Sequence, residues 1–373
     1  SNVGGLVGYN FGSVSNSYSS GSVATADGYS GGLVGRNNGT IDNSYSTGNV
    51  NGNNTWYTGG LAGYSSGTIS NSYSTGSVIG TFAVGGLIGY NNGGTVTNSY
   101  WDTTTSGKSS SAGGTGLTDT NMKLFSSFSA WGSGANGISQ TGTTTASGST
   151  AWVIYDGQSY PLLKALLTPL TVTAYSPTTT YNGTAYSGSN SATYSVASPT
   201  LSGTLSYSGT FSGATNAGTY SITPSGQYST QQQGYDITYV SGTLTINPAT
   251  LTATANNKSM AYGGNSLPAL DYALTGYVNG ENAASVGLTG SASLSTTATA
   301  YSGVAGSGSN AGSYTITTTA GTLAITSTNY TFAYQNGTLT INPVALTITA
   351  DNQTMTYGGS MPTLTTSYSG FVN

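Results

Sequence analysis

The stretch Gly32-Leu33-Val34-Gly35-Arg36, with Asn43-Ser44-Tyr45 further along, is one copy of a repeat that dominates the N-terminal part of the chain. The first half of this repeat returns as Gly5-Leu6-Val7-Gly8-Tyr9, Gly60-Leu61-Ala62-Gly63-Tyr64 and Gly86-Leu87-Ile88-Gly89-Tyr90. The second half returns at Asn16–Tyr18, Asn71–Tyr73 and Asn98–Tyr100. The four leucines are 27, 28 and 26 residues apart, so the repeat has a nearly constant period.

A unit of this length with short β-prone segments cannot bury an apolar face on its own, but stacked units can. The period therefore predicts a parallel β-solenoid over residues 1–100, with strands near Leu33–Val34, Ile41–Tyr45 and Gly48–Val50. Equivalent residues of successive coils would then stack about 4.8 Å apart. We expect three ladders: an inward leucine ladder, an asparagine amide ladder and a tyrosine stack. Their members are Leu6, Leu33, Leu61 and Leu87; Asn16, Asn43, Asn71 and Asn98; and Tyr18, Tyr45, Tyr73 and Tyr100.

The repeat ends after Tyr100, and residues 101–168 are predicted to form a solenoid cap and linker. A terminal coil exposes apolar core and unpaired strand edges, which Trp131, Trp152 and Tyr155 would cover. An alternative for the tryptophan cluster is a platform for sugar rings. The one helix-like segment is Asp119–Phe128, where Asp119 could cap the first turn.

A longer repeat begins at Leu170-Thr171-Val172-Thr173-Ala174 and returns at Leu251–Ala255 and Leu346–Ala350. Each copy alternates apolar residues with Thr, the pattern of a half-buried strand. Gly-Thr-Leu-Thr-Ile-Asn-Pro occurs at Gly242–Pro248 and again at Gly337–Pro343. We predict domains at 169–248 and 249–343 and the start of a third at 344–373. The fold class is all-β, with a small β-sandwich as the first choice for these units and a β-grasp-like sheet as the second. Linkers of about two residues predict a stiff array.

Composition excludes several classes of function. Only 14 of 373 residues are charged, the net charge is −4, and the chain has neither His nor Cys. Without His it lacks the side chain best suited to proton transfer near neutral pH. Without Cys it has no disulfide, thiolate nucleophile or thiolate metal site. Five cations cannot neutralise a run of phosphates, which argues against nucleic-acid binding. No apolar run is long enough for a membrane span.

Candidate catalytic residues are few. Gly63-Tyr64-Ser65-Ser66-Gly67 fits G-x-S-x-G, but a chain without His cannot complete the usual triad. Paired carboxylates for glycoside hydrolysis could come from Asp27, Asp42 and Asp102. Lys258 and Glu281 are chemically suited to an isopeptide crosslink, but the other long repeats lack the pair. The scattered acids contain no calcium-loop pattern. We therefore predict no catalytic, cofactor or metal residues and leave the binding residues unassigned.

The short repeats resemble the GLUG motif, which recurs in large bacterial surface and secreted proteins. Met260-Ala261-Tyr262-Gly263-Gly264 and Met355-Thr356-Tyr357-Gly358-Gly359, with Gly276–Asn279 and Gly370–Asn373, resemble MBG domains of the YGX type. The first long repeat departs from that pattern, since Tyr181-Asn182-Gly183 is nearer the YDG-type variant. The resemblance implies a filamentous-haemagglutinin-like adhesin in an extracellular setting, and it does not imply catalysis.

Together these features predict a non-catalytic structural or adhesive segment of a larger secreted bacterial surface protein. The alternatives are a self-assembling filament subunit and a spacer attached to an enzyme. Polysaccharide or a neighbouring cell surface is the expected partner, with self-association as a further possibility. We expect no cofactor, no nucleic acid and no membrane insertion, and we expect the sequence to be part of a longer chain.

Overall fold

The chain is all-β, as predicted. A computed structural model describes residues 1–372, with 43% of residues in strands and 5% in helices. The chain divides into two compact units, each built from several segments. Unit 1 comprises residues 1–176, 188–210 and 221–243, and unit 2 comprises residues 177–187, 211–220 and those from 244 onward.

The N-terminal repeats form the predicted solenoid, but each full coil has five short strands where three were expected. Strands of successive coils pair in parallel, in register, in five sheets. The first sheet contains Asn2–Gly4, Tyr29–Gly31, Tyr57–Gly59 and Ala83–Gly85. The second contains Val7–Asn10, Val34–Asn37, Ala62–Ser65 and Ile88–Asn91. The third contains Ser13–Ser15, Thr40–Asp42, Thr68–Ser70 and Thr95–Thr97. The fourth contains Tyr18–Ser19, Tyr45–Ser46, Tyr73–Ser74, Tyr100–Asp102 and Thr115–Leu117, and the fifth Val23–Ala24, Val50–Gly52 and Val78–Gly80.

The glycines of the repeat allow the backbones of the first and second sheets to approach without intervening side chains. A Cβ atom on Gly63 would lie 2.7 Å from the carbonyl oxygen of Gly35 and 2.7 Å from the amide nitrogen of Ser30. A Cβ atom on Gly59, at the preceding bend, would lie 2.0 Å from the carbonyl oxygen of Ala62. Because backbone atoms cannot move aside as a side chain can, these positions exclude every residue except glycine.

The predicted leucine ladder forms the solenoid core. Leu33, Leu61 and Leu87 are fully buried and pack with Ile41 and Ile69 of the third sheet. Leu6 departs from the expectation, since 50% of it is exposed. Within residues 1–372 its coil is covered by another coil on one side only.

The three residues of the Asn-Ser-Tyr motif have different structural roles. The asparagines do not form the predicted amide ladder, because each one turns the corner between the third and fourth sheets with φ of 45° to 48°. Asparagine tolerates this left-handed conformation better than most residues. The serines connect the coils: the Ser44 amide donates to Ser72 Oγ at 3.1 Å, and Ser72 Oγ donates to the Ser70 carbonyl at 2.7 Å.

The amide ladder lies in a different column, on the second sheet. Asn10 Nδ2 donates to Asn37 Oδ1 at 2.8 Å, and Asn37 Nδ2 donates to Ser65 Oγ at 3.1 Å. All three side chains are buried, so the hydrogen bonds satisfy groups that water does not reach. An amide ladder is present, as predicted, but it is formed by other asparagines than the predicted ones.

The tyrosine stack is confirmed for three coils. The ring centroids of Tyr18 and Tyr45 are 5.2 Å apart, and those of Tyr45 and Tyr73 are 4.8 Å apart. Tyr100 continues the register, and its ring lies edge-on to Phe128 at 5.2 Å. Burial is the main cause that raises the pKa values of Tyr45 and Tyr73 well above the ordinary range, and neighbouring phenols add to it.

Residues after Tyr100 cover the last coil, as predicted, since the Gly86 amide donates to the Ser110 carbonyl and Thr115–Leu117 pairs with Tyr100–Asp102. The predicted aromatic side chains do not form this cover. Trp131 and Trp152 pack along the side of the tyrosine stack, with Trp152 5.6 Å from the Tyr73 ring. Trp101 packs with Leu87 in the core of the last coil. Tyr155 belongs to a separate core with Val172. The elements of this region are helix Thr103–Ser106, 3₁₀ turns Asn121–Lys123, Phe125–Trp131 and Lys164–Leu166, and strands Ile138–Gln140, Trp152–Ile154 and Leu162–Leu163.

The helix prediction in this region was partly wrong. Asp119 caps no helix; its carboxylate instead accepts hydrogen bonds from Lys123 Nζ and Tyr160 Oη. Residues Phe125–Trp131 form 3₁₀ turns in place of an α-helix, and these turns end at Gly132. The α-helix lies earlier, at Thr103–Ser106, where the Asp102 carboxylate accepts from two backbone amides.

Unit 1 also contains strands of the first long repeat. Thr168–Ala174 pairs antiparallel with Ala192–Tyr194 and parallel with Tyr235–Val240. Ser202–Ser208 pairs antiparallel with the second half of strand Gly218–Tyr228. The predicted alternation of apolar and Thr residues is confirmed, because Leu170, Val172 and Ala174 are all buried.

The second long repeat lies wholly in unit 2 and forms two small sheets. The first has Tyr272–Thr275, Ala249–Ala255 and Tyr330–Gln335, in that order. The second has Lys258–Ala261, Gly337–Asn342, Gly312–Thr319 and Ser293–Thr296. Ile316, Leu339 and Ile341 of the second sheet share a buried cluster with Ala255 of the first, and residues 249–343 contain no helix. The unit is therefore all-β, as predicted. Thr178–Thr180 and Gly242–Asn247 pair in parallel, and Thr347–Ala350 pairs antiparallel with Thr366–Ser369.

Within unit 2, loops of the first and second long repeats meet at Glu281. Tyr181 Oη donates to Glu281 Oε1 at 2.8 Å, and Tyr330 Oη donates to Glu281 Oε2. Asn329 Oδ1 accepts from the Ala217 amide at 2.7 Å. Burial, and then the bond to Glu281, raise the pKa of Tyr330 to about 12. These bonds join loops of the first long repeat to the second within unit 2.

The motif glycines generate the first testable prediction. Gly63→Ala places a methyl group against backbone and should lower the free energy of unfolding by about 1–3 kcal/mol. Gly12→Ala is the matched control, because a Cβ atom there meets no atom within 4 Å. Denaturant unfolding followed by Trp fluorescence reports unit 1, since all four tryptophans lie in it. Equal midpoints for the two variants would contradict the close-packing argument.

The buried phenols generate the second prediction. The pKa values of Tyr45, Tyr73 and Tyr155 are raised by burial, so the folded state favours their protonated forms. Their contribution to stability is complete below the unfolded pKa of about 10 and is lost as pH rises above it. The unfolding midpoint of unit 1 should therefore fall between about pH 10 and pH 12. A midpoint that stays constant over this range, measured by Trp fluorescence, would rule the effect out.

Candidate functional site

The carboxylates considered for hydrolysis are not assembled as an acid–base pair. Asp27 is exposed in the bend before strand Tyr29–Gly31. Asp42 accepts from Ser70 Oγ at 2.7 Å and from Asn43 Nδ2 at 3.0 Å, within the third sheet and its corner. Asp102 is fully buried and caps the helix Thr103–Ser106. Asp42 and Asp102 therefore each have structural partners.

Two carboxylates contact the same hydroxyl group, and no sequence motif indicates this pair. Tyr160 Oη is 2.8 Å from Asp102 Oδ2 and 2.5 Å from Asp119 Oδ1. The bond from Tyr160, and then the one from Lys123, hold the pKa of Asp119 below its ordinary value. The other carboxylate oxygen of Asp102 accepts from two backbone amides at the start of the helix. The cluster therefore stabilises the residues that follow the last coil.

The other chemical candidates are also accounted for. Gly63-Tyr64-Ser65-Ser66-Gly67 crosses the second sheet, where Ser65 Oγ is buried and accepts from Asn37. Lys258 Nζ pairs with Asp271 at 2.8 Å, whereas Glu281 accepts from Tyr181 and Tyr330. The structure thus places Lys258 and Glu281 with different partners.

Two negative findings apply to the described residues. Within 1–372, no group of three or more acidic side chains is arranged to hold a metal ion. Over the same range, no helix combines the length and the apolar character that crossing a membrane requires.

A groove beside the tyrosine stack was a further candidate for binding. It is lined by Tyr18, Tyr45, Tyr73 and Tyr160 and by residues 231–233. Gln232 is buried there: its Oε1 accepts from Tyr45 Oη at 3.0 Å and from the Leu163 amide at 2.8 Å. Its Nε2 donates to the Leu163 carbonyl at 2.7 Å. Gln232 therefore serves to hold this part of unit 1 together.

The outer aromatic face of the solenoid is a set of tyrosines that the ladder prediction missed. It comprises Tyr9, Tyr64 and Tyr90 in one column of the second sheet, and Tyr29 and Tyr57 in the first. Tyr57 stacks on Tyr90 at 4.6 Å and on Tyr29 at 5.1 Å. Since the rings lie face to face, they present mainly edges and hydroxyl groups to solvent. The signal was available, because Tyr follows three of the four Gly-Leu-x-Gly segments.

Arg36 takes the place of a tyrosine in this face. Its guanidinium carbon lies 4.8 Å from the Tyr9 centroid and 5.0 Å from the Tyr64 centroid. A cation between two electron-rich rings is favourable, so the column stays continuous through the substituted coil.

Two aromatic side chains project from the solenoid without being stacked. Trp56 is 62% exposed and Phe82 is 71% exposed. They occupy neighbouring coils one residue before Tyr57 and Ala83, which pair in the first sheet. With Tyr57 and Ala83 they line an apolar cleft, here called the Trp56–Phe82 cleft. It is the strongest candidate binding feature of unit 1.

The tryptophans considered as a sugar platform do not provide one. Trp131 is 6% exposed and Trp152 is fully buried, and both contact aromatic rings of the core. The accessible tryptophan is Trp56, which lies inside a coil where periodicity alone gave no reason to select it.

Comparison with protein families agrees with this architecture. The GLUG motif matches residues 1–24, 26–51 and 54–79. The MBG domain (YGX type) matches residues 251–340 and 346–373. No curated protein and no solved structure matches the chain. The matched ranges correspond to three of the short repeats and to the second and third long repeats, so the chain contains GLUG motif repeats followed by MBG domains of the YGX type.

Proposed function

We propose that this chain is a non-catalytic structural and adhesive segment of a large secreted bacterial surface protein. GLUG motifs and MBG domains usually occur in extracellular or surface proteins and are typical of large adhesin-like ones. The observation that carries the proposal is the order of the two repeat systems. A solenoid that displays an aromatic face precedes repeats of the stalk type.

The use of polar groups in the structure supports a role without catalysis. Asp102, Asp42 and Ser65, which a hydrolase would have used, are bonded to neighbouring coils or to a helix end. Glu281 joins two long repeats. Groups committed to backbone and ladder contacts are not free to transfer protons.

Restraint between repeats supports a stalk. The hydrogen bonds of Tyr181 and Tyr330 to Glu281, and of the Ala217 amide to Asn329, limit bending within unit 2. A stiff array holds an adhesive surface away from a cell, whereas a flexible linker would let it collapse back.

Adhesion by this chain should depend weakly on pH and salt. The chain has no His, and an uncharged aromatic and amide surface is not screened by ions. Beads coated with the full chain should stay attached to polysaccharide-coated surfaces from about pH 5.5 to pH 8 and from about 0.05 to 1 M salt. Uncoated beads are the control. Detachment near the acidic end of this range would refute the proposal.

Sedimentation of the same preparation tests the filament alternative. A stalk segment should sediment as a monomer at every concentration used. Polymers that grow with concentration would favour the filament subunit, since unpaired strand edges can join across molecules.

A further inference from the structure

We propose that the Trp56–Phe82 cleft is a binding site for neutral, pyranose-containing polysaccharide. The inference rests on the proposed adhesive function and assigns to it one place on the solenoid and one class of ligand.

The first argument is the accessibility of the ring faces. In the outer aromatic face the tyrosines cover one another, at 4.6 Å for Tyr57 and Tyr90. Within residues 1–372, neither Trp56 nor Phe82 stacks on another aromatic ring, and most of each side chain is exposed. A pyranose ring has an apolar face of C–H groups that packs on such a free aromatic surface. The stacked tyrosines cannot offer this surface.

The second argument is that the cleft is held in a fixed shape. Thr55, next to Trp56, is fully buried; its hydroxyl donates to the Gly52 carbonyl at 2.7 Å and bonds to Thr58 Oγ1 at 2.7 Å. On the other side, the Ala83 amide donates to the Trp56 carbonyl at 3.2 Å. A site whose backbone is fixed before binding loses less entropy when a ligand binds.

The third argument is an inserted polar loop at the rim. The leucine spacing of 28 residues at this coil is the longest of the three, and Asn54 lies in the left-handed conformation with φ of 66°. Asn53, Asn54 and Thr81 are exposed, and the Asn54 amide donates to Thr81 Oγ1 at 3.3 Å. Amides and hydroxyls beside an apolar surface match the hydroxyl groups at the edge of a sugar ring.

The fourth argument is charge. None of the four residues that line the cleft is charged, and the nearest acidic residue of the preceding coil is the exposed Asp27, whose neighbour Gly28 accepts from the Trp56 amide. An uncharged lining offers no ion pair to a charged ligand, and a nearby carboxylate repels an acidic one. This separates neutral polysaccharide from acidic polymers.

The test is native affinity electrophoresis of the full chain in gels containing hydroxyethylcellulose, galactomannan or xylan, with polygalacturonate as the acidic comparison. Retardation is expected in at least one neutral gel and not in polygalacturonate. Trp56→Ala and Phe82→Ala should weaken retardation about tenfold or more, and Trp56→Phe should retain part of it. Phe11→Ala is the matched control, since Phe11 is also 71% exposed but lies in the first coil.

Fluorescence provides a second readout on the same protein. The other three tryptophans are at most 6% exposed, so a spectral shift on adding the retarding polysaccharide reports Trp56. The shift should be absent in Trp56→Phe. Circular dichroism should show that the substituted chains remain folded, because the side chains removed are exposed.

Three outcomes would overturn the inference: no retardation in any neutral gel, retardation that Phe11→Ala reduces as much as Trp56→Ala does, or a cleft that proves to join two copies of the chain. The last would appear as oligomers that Trp56→Ala converts to monomers. Beads that still adhere without retardation in any gel would refute this site and leave the adhesive function standing. Loss of bead adhesion alone would refute the adhesive function.

Discussion

The solenoid depends on one constraint, the direct approach of backbone to backbone at the motif glycines. At Gly63 a single added carbon would lie 2.7 Å from two backbone atoms of the preceding coil. This contact sets the bend between the first and second sheets, and the bend directs the neighbouring Leu61 into the core. The five sheets can then remain in register from coil to coil, since each coil repeats the same path.

The same constraint explains the unusual composition. A coil of short strands has many corners, and each corner leaves backbone groups that need partners. Ser72 satisfies one such group in its own coil and another in the preceding coil. On the second sheet, Asn37 donates to the Thr68 carbonyl of the next coil. Short neutral side chains fit these places, whereas a buried charge would carry a large desolvation cost. The low content of charged residues, 4% of the chain, is therefore a consequence of the architecture.

Aromatic residues follow two different physical rules in this chain. Tyr45 and Tyr73 stack inside, where burial keeps them protonated, and Tyr57 and Tyr90 stack on the outside, where only their edges meet water. In both places a ring packs on the ring of the next coil, because the strand spacing of about 4.8 Å falls within the range of centroid distances for offset-stacked rings. Trp56 and Phe82 are exposed and do not stack on aromatic rings of neighbouring coils, so their ring faces are accessible to a ligand.

The sequence by itself determined the period, the solenoid, the leucine core, the tyrosine stack and the alternating strand of the long repeats. These follow from local spacing, since residues one period apart must become neighbours once the coils stack. It did not determine which column of asparagines forms the amide ladder. Asn43 adopts a left-handed backbone conformation at a corner, and the direction of its side chain follows from the folded coil. It also did not place Trp152 beside Tyr73, bring Glu281 to Tyr181, or leave Trp56 exposed. Those contacts join residues far apart in the chain, and the tertiary structure decided them through packing that no periodicity encodes.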